Sequence, residues 1–115
     1  MMRTVRLELA RCHEFPEGSA LHGYEMRLPI GADGKIDHEA WPKYKYNSDF
    51  CRFWGGEEEH GRIKHGPKGW TLAFVGTDPE EVIFRGDTHR FMTGEYVSIR
   101  ERDGVTRTFR VTSVH

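Results

Sequence analysis

The chain has 115 residues, with 17 lysines and arginines against 18 aspartates and glutamates and a net charge of −1. That length allows one globular domain over residues 1–115 with a hydrophobic core of its own, and the balanced charge excludes a global field that would recruit nucleic acid or an anionic membrane. Aromatic residues spread along the chain argue against disorder.

Val5, Leu7 and Leu9 alternate with Arg6, Glu8 and Ala10, so residues 4–11 are predicted to form a half-buried strand. Charges at Arg3, Arg6, Glu8 and Arg11 interrupt any apolar run, which reads as neither signal peptide nor membrane span, and a cytoplasmic protein is expected. Cys12 and Cys51 are read as free thiols in a reduced compartment. Residues 12–23, with Pro16, Gly18 and Gly23, read as a loop long enough to carry a binding surface. Tyr24, Met26, Leu28 and Ile30 then mark a second strand that Pro29 ends or places at an edge.

Asp37 is predicted to cap a single helical turn over residues 38–41, stopped by Pro42. Residues 50–54 read as a strand halted by Gly55-Gly56 and the acidic run Glu57-Glu58-Glu59. Residues 62–64 read as a short strand, residues 65–69 as a turn, and Trp70, Leu72 and Phe74 as one face of a core strand. An Asp78-Pro79 turn and a strand over residues 82–85 follow.

The C-terminal stretch is the most legible. Val97 and Ile99 alternate with Tyr96, Ser98 and Arg100, and Val105, Phe109 and Val111 alternate with threonines and Arg110. A two-residue Asp103-Gly104 turn would set Val97 opposite Arg110 and split the apolar faces. A three-residue loop, with Gly104 left-handed in a G1 bulge, sets Val97 opposite Phe109, Ile99 opposite Arg107 and Tyr96 opposite Arg110. The hydrophobic pattern decides for the bulge, because a one-residue slip would turn the whole face to water. The expected fold is therefore all-β with at most one short helical turn. It is a small, partly open antiparallel β-barrel or sandwich, ending in a hairpin bulged at Gly104.

The stretches His22-Gly23-Tyr24-Glu25, Arg52-Phe53-Trp54, residues 94–100 and residues 108–111 carry a resemblance to an uncharacterised family of short bacterial proteins. The resemblance spans nearly the whole chain and implies a single domain. That family has no assigned activity, so it implies no catalytic or binding residue.

Four constellations bear on function. Two cysteines and seven histidines lack the close ligand pairs of structural zinc, so no metal and no cofactor is expected. Lys43-Tyr44-Lys45-Tyr46, followed by Arg52, interleaves cations with rings, and Tyr96, Arg100 and Arg110 extend it. Small barrels stack single-stranded nucleic acid on such surfaces, although an ordinary amphipathic strand reads the same way. His22, His38, His60 and His89 are candidate bases and Glu57–Glu59, Glu80 and Glu81 candidate acids for a small metal-dependent or histidine-based enzyme, but no motif holds them together. Cys51 reads as a small buried hydrophobe rather than a nucleophile. Trp54, beside Gly55-Gly56, reads as an exposed anchor for a protein partner or a second copy of the chain. The expectation is a non-catalytic binding module with a protein or homo-oligomeric partner, nucleic acid as the alternative, and no membrane.

Overall fold

The computed structural model describes residues 2–67, 69–76, 81–85 and 89–115, with the backbone alone at 81–83. Period-two alternation does become strands here: β1 (Met2–Leu9), β2 (Ser19–Pro29), β3 (Asp49–Trp54), β4 (Glu57–Gly66), β5 (Gly69–Phe74), β6 (Glu81–Phe84), β7 (Tyr96–Arg100) and β8 (Thr106–Val114). Among the described residues these strands run antiparallel in sequence order around a barrel, and β8 returns to lie beside β1. The ring is thinnest at β6–β7, where among the described residues the single register pair is Phe84↔Ile99. Among the described residues no helix is long and apolar enough to cross a membrane.

Side chains on every second residue fill the barrel, as they must in a ring of this size. Val5, Leu7, Leu9, Tyr24, Met26, Leu28, Ile63, Leu72, Val97, Ile99, Phe109 and Val111 are all buried. One end of the barrel holds the chain termini and the segment between β2 and β3. There a four-residue helix, α1 (Trp41–Tyr44), sets Trp41 edge-on against Trp70 at 4.7 Å. The other end gathers the β1–β2, β3–β4 and β7–β8 connections.

The C-terminal hairpin has the predicted register, Val97↔Phe109, Ile99↔Arg107 and Tyr96↔Arg110, and Gly104 sits at φ 82°. Val105 does not join the apolar face; it lies in the loop before β8 and is exposed. Three other readings are corrected. Strand β2 begins at Ser19, so the preceding loop is shorter than expected, and the β1–β2 register shifts between Glu8 and Leu9 to absorb the extra residues. Asp37 does cap a turn, its Oδ1 accepting from the Glu39 and Ala40 amides at 3.0 and 3.2 Å, but the helix begins at Trp41 and continues as a 3-10 turn, Lys45–Asn47. Pro42 opens that helix rather than stopping it, because the first turn has no use for its missing N–H. The acidic run does not halt the chain: Gly55 and Gly56, at φ 60° and 97°, make a two-residue hairpin turn, and Glu57–Glu59 are the start of β4. The Asp78-Pro79 turn lies outside the described residues.

Candidate functional site

The inward row of β7 and the connection after it runs Val97, Ile99, Glu101, and the inward row of β8 runs Phe109, Arg107. The apolar filling of the barrel therefore gives way to charge at the end that gathers the hairpin turns. Glu101 is 6% exposed there. Its Oε2 accepts from the Tyr24 hydroxyl at 2.6 Å and from Arg52 Nε at 2.8 Å, and its Oε1 accepts from Arg107 Nη1 at 2.9 Å. Arg107 also donates to Glu14 at 3.1 Å and pairs with Asp103 at 3.0 Å. Arg102 closes the rim by pairing with Glu59 while its guanidinium lies 3.9 Å from the centre of the Phe74 ring.

Trp54 is not a free anchor. It is half-buried against the core, with the Arg52 guanidinium 4.0 Å over its ring, Arg107 at 5.4 Å and His22 edge-on at 4.6 Å. His22 is held from its other side by Phe15, and its Nδ1 lies 2.6 Å from the Ser19 hydroxyl. This serine–histidine pair is gripped by rings, and among the described residues no carboxylate is hydrogen-bonded to His22. The network at the barrel mouth is a satisfied buried ion cluster whose chemistry is to hold the turns together.

Burial first, and then the negative charge of Glu101, raise the Tyr24 phenol well above its ordinary value. An unfolded tyrosine ionises from about pH 10, while the folded one stays protonated. Its contribution is therefore complete below about pH 10 and is lost as the pH rises beyond it. Melting temperatures measured across the alkaline range should fall more steeply for the wild type than for Tyr24→Phe. Parallel curves would show that the hydroxyl is not held as described.

The other predicted residues fall in separate places. Lys43 and Tyr44 lie on α1, and Lys45 and Tyr46 on the 3-10 turn. Helical residues turn by about 100° each, so the lysines and the rings are not sorted onto two opposite faces as strand alternation would sort them. Each lysine instead lies over the tyrosine that follows it, at 5.3 and 5.1 Å. Tyr46, 74% exposed, stands with Val75 at a cleft of about 400 Å³ that also takes in Cys51, His60 and Arg62. Burial and the carboxylates of Glu58 and Glu25 push the Cys51 thiol up from its ordinary value. Burial and the charge of Arg85 hold His89 below the ordinary imidazole range.

Tyr96 and Arg110 do meet, as cross-strand partners on the outer face of the hairpin. They line a groove of about 810 Å³ whose opposite wall is the β1–β2 connection, including Arg11, Glu17 and Ser19. Arg100, opposite Thr106 at the end of the hairpin, lies outside the groove. The sequence reading missed Glu101 and Arg107 as a pair. The signal was present, since Arg107 sits opposite Ile99 on a face that is otherwise apolar, and a charge there demands a partner.

Compared with protein-family models, curated proteins and solved structures, the chain shows no significant match.

Proposed function

We propose that this chain is a non-catalytic binding barrel that holds an extended, acidic segment of a partner protein in the groove between its β1–β2 connection and the outer face of β7–β8. The observation carrying this reading is the charge left over in the groove. Among the described residues Arg11 and Arg110 have no ion-pair partner; of the two carboxylates in the lining, Glu8 pairs at 2.9 Å with an Arg6 that it shares with Glu25, and Glu17 has no partner, so two unpaired guanidiniums face one unpaired carboxylate. Tyr96, 56% exposed at the centre of the same wall, supplies an amphipathic anchor of the kind interfaces favour.

Single-stranded nucleic acid is the weaker reading. Stacking platforms need rings in series, and the exposed rings Tyr46 and Tyr96 belong to different clefts. We place the protein in the cytoplasm, where Cys12 and Cys51 would remain the unpaired thiols they are in the fold.

The test is fluorescence anisotropy with a panel of acidic, neutral and basic peptides and an oligothymidylate. Acidic peptides should bind best, more weakly as salt rises. Arg110→Glu should reduce that affinity by at least about tenfold, and Tyr96→Ala should cost about 1 kcal/mol or more. Tighter binding of the oligonucleotide, or peptide affinity indifferent to Arg110→Glu, would overturn the proposal.

A further inference from the structure

We infer that Cys51, Glu58 and His60 form a zinc-binding site on the outer face of the β3–β4 hairpin, separate from the peptide groove. Cys51 and His60 are register partners across the hairpin. Glu58 lies two residues before His60 on the same strand and so projects from the same face. The thiol sulfur, an imidazole nitrogen and a carboxylate oxygen all lie within 4.8 Å of one another.

Zinc holds its ligands at about 2.0–2.3 Å in a tetrahedron, which separates the donors by about 3.5 Å. Glu58 Oε2 and His60 Nε2 already stand 3.7 Å apart. The remaining gaps, 4.8 Å at most, close by about 1.3 Å at most to reach that edge length. Their side chains are 62% and 67% exposed, so the closure moves side chains at the surface and leaves the core alone.

The donor set selects the ion. Sulfur, imidazole nitrogen and one carboxylate suit zinc, whereas calcium and magnesium want oxygen throughout. Glu25 borders the site from β2 as the other register partner of Cys51, and its carboxylate adds to the negative potential while it is held by Arg6 at 2.8 Å. Binding replaces the thiol proton: the S–H bond breaks, the sulfur donates its pair to the metal, and one proton leaves to solvent. Three protein ligands leave a fourth position for water. Cys51 and His60 both open on the cleft beside Tyr46, which gives the ion a path in.

The experiment is titration of the reduced, chelator-treated full chain with cobalt(II), followed by zinc. One cobalt per chain should bind and give a thiolate-to-cobalt charge-transfer band in the near ultraviolet, which zinc then bleaches. Cys51→Ser should abolish the band and Cys12→Ser should keep it. His60→Gln and Glu58→Gln should each weaken binding by at least about tenfold, since even loss of an outer partner costs that much. Circular dichroism and melting of the metal-free variants guard against unfolding as the cause. A band that survives Cys51→Ser, wild-type affinity in His60→Gln, or failure to bind one cobalt per chain would each overturn the site.

Discussion

Replacing Gly61 with alanine is expected to cost about 3 kcal/mol or more, the upper end of what overpacking costs in a core. A Cβ at this position would fall 2.1 Å from the carbonyl oxygen of Ala73 and 2.6 Å from a ring carbon of Phe50. The ring could turn, but the carbonyl belongs to β5, which pairs with β4 through Ala73 and Phe74. Relief would require the two strands to separate. Gly23 repeats the situation on β2, two strands away, where a Cβ would lie 1.9 Å from the Leu7 carbonyl oxygen, next to the register shift of β1 and β2. Both glycines sit where a curling sheet brings backbone against backbone, which is the use of glycine inside a strand. Either alanine variant should lower the melting temperature by on the order of 10 °C or more. Gly66→Ala, where a Cβ would meet nothing within 4 Å, is the matched control and should be nearly neutral. A Gly61→Ala protein as stable as that control would refute the close approach.

Removing the Glu101 carboxylate is expected to be of similar size, by a different route. Glu101→Ala leaves Arg52 and Arg107, whose side chains are 14% and 10% exposed, at the barrel mouth without the carboxylate between them. Loss of one partner from a buried ion cluster costs about 3–5 kcal/mol, because the charges that remain are uncompensated. Arg107 retains Glu14 and Asp103, and Arg52 retains Glu59 at 3.7 Å, which sets the expectation toward the lower end of that range. Glu101→Gln keeps the shape and one acceptor oxygen and should lose less. Urea denaturation of the two variants and the wild type measures the difference. A loss in Glu101→Ala below about 1 kcal/mol would mean that water already screens the mouth as it does a surface pair. The prediction also separates structure from binding: Glu101→Ala should weaken the barrel, whereas Arg110→Glu should leave stability unchanged and weaken peptide binding.

What the residues determined by themselves is the strand pattern and the register of one hairpin. Val97, Ile99, Phe109 and Val111 must face the same side, and only the three-residue loop at Gly104 allows it, so local chemistry sufficed there. The same logic could have reached the β3–β4 hairpin. Gly55-Gly56 as a two-residue turn sets Cys51 opposite His60, and reading Glu57–Glu59 as polar strand rather than as a stop would have revealed that pair. Acidic runs are poor strand formers alone. Here Glu59 is drawn into the sheet by the arginines at the mouth, Arg52 and Arg102.

The rest was decided only in three dimensions. Lys43–Tyr46 alternates like a strand but is helical, because Pro42 opens a turn that packs Trp41 on Trp70 across the barrel end. The glycines beside Trp54 predict an exposed ring, yet two arginines far apart in sequence cover it. The groove exists because the β1–β2 connection lies alongside β8, and Glu101 meets Tyr24, Arg52 and Arg107 because ring closure brings β2, β3 and β8 to one mouth. Alternation fixes which face a side chain takes, and it carries no information about which distant strand stands opposite. That information arises only when the sheet closes on itself, and the ion cluster and the groove arise with it.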